Sequence, residues 1–213
     1  MCKKLLYLAP VALVLTLLLG NIASADLIAH WPLNGDFADA TGNGHDGTPL
    51  GDPEFVIDSV KGLVLEVDGD ARVMVEDAPD LNYTANESLT MTVWALYDPG
   101  LASSGWRSCC GKGRTATGGD TSYLDTMYGF FVSPDNEWAS NMGSLGGGVG
   151  PAVADEWHHF AFVQDGDNNQ NFYYINLEVV QSGGAADCST PGRPFFIGAS
   201  GSDTSPFEAF GGR

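Results

Sequence analysis

The chain has 213 residues, a formal net charge of −18 and 17% charged residues. So acidic a surface excludes nucleic acid as a partner, because phosphate contacts need clustered Lys and Arg, and it disfavours anionic membranes for the same reason. The 28 glycines, the frequent Asp-Gly and Asn-Gly pairs and the lack of a sustained helical period point to a turn-rich, all-β domain.

At the start, Lys3 and Lys4 precede an apolar run from Leu5 to Leu19, followed by Ala23-Ser24-Ala25. That is the pattern of a secretory signal cleaved after Ala25. The run is shorter than the ~20 residues a spanning helix needs, so no membrane insertion is expected after cleavage, and Cys2 stands on the wrong side of it for a lipid anchor. The expected location is the periplasm, the cell surface or the medium. Residues 26–213 then form one domain, in which seven Lys and Arg face 27 Asp and Glu. Such acidity suits neutral ligands or divalent cations.

Short apolar or alternating runs recur through this domain at Leu27 to Leu33, Gly62 to Val67, Arg72 to Val75, Leu89 to Tyr97, Tyr128 to Val132, Trp157 to Gln164, Phe172 to Gln181 and Phe195 to Ala199. Turn residues bound each of them, the spacing of a two-sheet antiparallel sandwich. Burial on both faces is expected near Trp94. The polar stretch from Asp165 to Gln170 reads as a hairpin turn. Its Asp165-x-Asp167-x-Asn169 imitates a calcium loop but lacks the glycine at the sixth position. Gly100 to Ser122 and Ser140 to Gly150 read as long loops, where binding residues usually sit. Three cysteines remain after the signal, and one bridge from Cys109 or Cys110 to Cys188 is expected in an oxidising compartment.

Several motifs occur in a telling order: Leu27 to Gly35, Asp39-Ala40-Thr41-Gly42-Asn43-Gly44-His45-Asp46-Gly47, Val60 to Gly69, Leu89 to Trp94, Glu156-Trp157-His158-His159-Phe160-Ala161, Tyr174-Ile175-Asn176 and Phe196-Ile197-Gly198. In these residues the chain resembles the laminin-G-like (LamG-like) jelly-roll domains of bacterial exported proteins, in the concanavalin A-like lectin/glucanase superfamily. The resemblance implies a concanavalin A-like β-sandwich. It also implies a closing strand after Phe210-Gly211-Gly212-Arg213, so a sandwich lacking its last strand, in a fragment of a larger protein, is expected. Finally, it implies a structural Ca2+ near the glycine-rich loop, with Asp39, Asn43 and Asp46 as ligands; the competing reading is a turn whose Asp and Asn side chains satisfy their own backbone.

The fold class hosts lectins, hydrolases and spacers alike, so function must come from the site. Sugar binding needs aromatic rings with polar neighbours, and Trp106, Tyr123, Tyr128 and Trp138 flank the long loops. Core packing is expected for Trp31, Trp94 and Trp157. Glu66 and Asp68 share a strand face, as a hydrolase's carboxylate pair would, yet Asp68-Gly69-Asp70 reads as a turn. His158 and His159 point to opposite faces, which argues against a zinc site. The leading expectation is an exported, non-catalytic recognition module for a glycan or a cell-surface partner. The alternatives are an adhesive spacer of a larger surface protein and, behind it, a glycan hydrolase.

Overall fold

The computed structural model describes residues 25–102, 104–113, 128–140, 145–201 and 206–213. Ser24 and everything before it in the expected signal segment, and Tyr123, lie outside them. Where apolar and polar residues alternate, the chain is extended: β1 (Gly47–Leu50), β2 (Glu54–Asp58), β3 (Gly62–Glu66), β4 (Arg72–Val75), β5 (Leu89–Leu96), β6 (Arg107–Lys112), β7 (Tyr128–Val132), β8 (Glu137–Ser140), β9 (Gly148–Pro151), β10 (Trp157–Asp165), β11 (Gln170–Ile175), β12 (Glu178–Gly183), β13 (Phe195–Ile197), β14 (Ser200–Gly201) and β15 (Pro206–Phe207). A single 3-10 turn at Pro79–Leu81 is the one helical element among the described residues.

A seven-stranded sheet, in the order β1-β4-β13-β6-β7-β8-β9, faces a four-stranded sheet, in the order β12-β11-β10-β5, and β2 and β3 form a separate hairpin. Each pairing of these strands is antiparallel. Residues 211–213 run between the hairpin and the four-stranded sheet. Gly212 exchanges two backbone hydrogen bonds with Val67, just past β3, and Arg213 exchanges two with Leu96, at the end of β5. Only glycine suits position 212, where φ is 143° and an added Cβ would collide with the Leu96 carbonyl.

The core follows from strand alternation. In β10 the inward positions are His158, Phe160, Phe162 and Gln164. Phe160 lies 5.8 Å from Phe130 of the opposite sheet and 4.5 Å from Trp138, while Phe130 and Tyr173 stack at 5.6 Å. Burying each such ring contributes about 1.5–3 kcal/mol. Gln164 is buried without penalty, because its amide donates to Thr84 O and Glu87 O and accepts from Ala186 N–H.

Several expectations change. Leu27 to Leu33 forms no strand and is tied down by side chains instead. Phe172 to Gln181 is two strands, because Asn176 and Leu177 take left-handed φ values of 50° and 73° and turn the chain. The two supposed long loops contain β6 and β9. Trp94 stands on the outer face, 51% exposed, with the Lys61 ammonium 3.2 Å above its ring, so it is not a core residue.

Two polar clusters organise the ends of the strands. The Lys112 side chain is fully buried, and its ammonium meets Asp77 at 2.7 Å, Thr190 O at 2.9 Å and Asn82 Oδ1 at 3.0 Å. Burial draws the Lys112 pKa below its ordinary value, against the upward pull of Asp77. Burial pushes the other way on Asp77, but the hydrogen bonds from Lys112, Gly192 N–H and Asn82 outweigh it and lower its pKa.

Asp39 holds the first segment of the domain. Its carboxylate accepts from His30 N–H, Thr41 N–H, the Thr41 hydroxyl and His45 N–H, while Asp46 accepts from Asp39 N–H. The Trp31 indole donates to His45 O at 2.7 Å, and its ring stacks on Phe195 at 5.4 Å. Burial acts to raise the Asp39 pKa, but these hydrogen bonds prevail and bring it down from 3.8 to about 2.

Removing one partner of a buried ion pair strands the other. Lys112→Met is therefore expected to destabilise the protein by about 3 kcal/mol in urea unfolding, and adding Asp77→Asn should recover part of that loss. Because the folded Asp39 pKa lies below the unfolded 3.8, its contribution is complete above about pH 4 and is lost as pH falls through about 2. Asp39→Asn should cost about 1–3 kcal/mol at pH 7 and flatten the acid limb of the unfolding curve between those values.

Candidate functional site

The two sheets part at one lateral edge, leaving a cavity of about 240 Å3. On one side it is walled by Trp138 of β8 and by Val149, Gly150 and Pro151 of β9, and on the other by His158 of β10, Ile175 of β11, Asn176 of the turn, and Glu178 and Val180 of β12. Strand alternation brings Trp138 and His158 inward. The turn at Asn176 and Leu177 places Asn176 and Glu178 at the mouth.

Each polar wall residue keeps spare bonding capacity. His158 Nδ1 lies 3.0 Å from Glu156 O, a pure acceptor, so Nδ1 carries a proton, and in the neutral ring Nε2 is an acceptor with no partner among the described residues. Asn176 is clamped, its Oδ1 accepting from His159 N–H at 2.9 Å and its own N–H donating to His159 O at 2.8 Å, and its side-chain NH2 is uncommitted among the described residues. Glu178 is exposed, and the buried Trp138 indole N–H has no acceptor among the described residues. Gln181 fixes the width of the opening by donating to Gly146 O at 3.0 Å and accepting from the Ser140 hydroxyl at 3.3 Å. The arrangement can receive a hydroxyl-rich ligand against one aromatic ring and an apolar wall of Val149, Pro151, Ile175 and Val180.

Of the aromatics expected to bind ligand, Trp106 is partly exposed, at 38%, but is not part of this cavity, and Tyr123 lies outside the described residues. Tyr128 and Trp138 are corrections as exposed binding residues, being 2% and 1% accessible. Tyr128 lies in a strand buried along its whole length, and its hydroxyl donates to Leu81 O. Trp138 is pinned between the sheets and reaches the cavity only from within. Sequence reasoning missed Asn176, Glu178 and Val180. The tight turn inside the run Phe172 to Gln181 was the signal for them.

The residues expected as calcium ligands are already hydrogen-bonded to one another and to the backbone. Asp39, Asn43 and Asp46 do share one loop, but N–H and O–H donors occupy both Asp39 oxygens, Asp46 accepts from Asp39 N–H, and the Asn43 amide NH2 is spent on Leu27 O and Ile28 O. Among the described residues no group of three or more His, Cys, Asp or Glu could hold a metal ion. The expected bridge to Cys188 is likewise not formed: Cys109, Cys110 and Cys188 are buried free thiols. A hydrogen bond with Cys109, together with burial, holds Cys110 well above the ordinary thiol value, and burial with Asp187 nearby pushes Cys188 to about 12. Glu66 is engaged by Arg213 at 2.8 Å, and Asp68 sits in the turn after β3, its carbonyl accepting from Ala71 N–H. Asp165 caps its own hairpin turn through Asn168.

No helix among the described residues is long and apolar enough to cross a membrane. Among curated proteins, none matches this sequence. Among solved structures, the fold is similar to domain 4 of AbnA, a GH43 extracellular arabinanase from Geobacillus stearothermophilus solved with arabinotriose, at TM-score 0.61 and 19% identity over 88% of each chain. It is also similar to the binding domain of Paraclostridial Mosquitocidal Protein 1, at TM-score 0.53 and 12% identity over 82% of this chain and 42% of that one, and to Trypanosoma rangeli sialidase, at 0.52 and 15% over 87% and 27%. These likenesses show the fold. The family model described as concanavalin A-like lectin/glucanases superfamily matches residues 68–210, more than half of the sequence, and the chain belongs to that superfamily.

Proposed function

We propose that this chain is an exported, non-catalytic module that recognises carbohydrate through the lateral cavity between β8–β9 and β10–β12. The observation that carries this reading is that three polar residues, His158, Asn176 and Glu178, line one recess beside Trp138, each with hydrogen-bonding capacity left over among the described residues. A few convergent polar groups on an otherwise apolar concave wall is the usual form of a small-ligand site. The AbnA domain, which shares the fold, was solved with arabinotriose, and that supports sugar as the ligand class. Glu66 is tied to Arg213, which also meets Asp58, and that salt-bridged arrangement supports a non-catalytic reading over hydrolysis. The signal pattern of residues 1–25 supports export.

The test is a glycan array probed with the protein. Retention of at least one oligosaccharide is expected, with a loss of about tenfold or more for Val180→Arg, whose long side chain fills the cavity, and little change for Trp106→Ala. A folded protein that retains no glycan contradicts the reading and favours a spacer role.

A further inference from the structure

We infer that the cavity selects a neutral terminal sugar ring and rejects acidic sugars, with Glu178 as the specificity-determining residue. The inference rests on the carbohydrate reading above and deepens it. Three observations carry it. First, at about 240 Å3 the cavity falls below the ~300–1,000 Å3 of pockets that enclose drug-sized ligands, a size on the scale of a single sugar ring. Second, the wall offers an acceptor in His158 Nε2, donors in the Asn176 NH2, and both kinds of partner to hydroxyl groups, which both donate and accept. Third, Glu178 is the one formal charge lining the cavity, and no described Lys or Arg lines it with Glu178 to neutralise an incoming carboxylate.

A sugar hydroxyl donates to the Glu178 carboxylate in a charge-assisted hydrogen bond, roughly twice as strong as a neutral one. A uronic or sialic acid brings a second carboxylate to the same mouth, within a protein whose net charge is already −18. Like charges so juxtaposed exclude the wrong ligand, and that exclusion, more than added affinity, is what the residue supplies.

The experiment compares array glycans that share a core but end in a neutral hexose or pentose, in a uronic acid, or in sialic acid, for the wild type and for Glu178→Gln. The wild type is expected to hold neutral ends about tenfold or more tightly than the matched acidic ends, and Glu178→Gln to shrink that ratio to about threefold or less. Lengthening a neutral chain beyond its terminal rings should leave affinity within about twofold, because only the end enters. Acidic ends bound as well as neutral ones, or a preference unchanged in Glu178→Gln, overturns the selectivity while leaving carbohydrate recognition standing. A folded wild type that retains neither class overturns both.

Discussion

The structure depends on one side chain that belongs to both sheets. Trp138 sits on β8, close to the edge of the seven-stranded sheet, and lies 4.5 Å from Phe160, 5.6 Å from His158 and 6.2 Å from Tyr97. A ring of that size near an edge props the sheets apart on its open side and packs them together on its inner side. The cavity is the outward consequence. Its back wall is core, its front wall is the β9 edge and the β11–β12 turn, and the Gln181 bridge keeps the two at a fixed distance. A site whose floor is the core is preorganised, so little ordering is needed when a ligand enters.

The polar groups divide by how fully they are used. Asp39, Gln164 and Lys112 are buried and surrounded by partners, which makes them scaffold: they hold the first segment, the Thr84 turn and the Thr190 segment in place. His158, Asn176 and Glu178 keep unused donors or acceptors among the described residues, and all three line one recess beside Trp138. The acidic Asp39 loop belongs with the scaffold, its carboxylate held in a knot of N–H···O and O–H···O bonds. Acidity alone did not mark the site; spare bonding capacity did.

Much of the sandwich was legible in the sequence because β10 alternates throughout, β5 alternates as far as Trp94, and their register pairs His159 with Trp94 and Phe160 with Val93. Short strands carry too little pattern to be read that way. β8 and β9 have four residues each, and the glycine run beside them looks like loop, so Trp138 read as a loop aromatic although it lies inside the core. The cavity escaped for another reason: Trp138, His158 and Glu178 are brought together by a turn and by the stacking of two sheets, and neither leaves a periodic trace. The Asp39 loop was legible as a turn that satisfies itself, one of the two readings its residues allowed.

The account stands on Trp138 being at once core and binding wall. Its most direct test is the indole N–H resonance of Trp138 in a heteronuclear NMR titration, assigned with Trp→Phe variants at the more exposed positions Trp94 and Trp106, against a neutral oligosaccharide that the protein retains. The account predicts a resonance protected from solvent exchange in the free protein that shifts on saturation, together with the amides of Asn176 and Glu178. A saturating sugar that moves other resonances and leaves these three unmoved would contradict it.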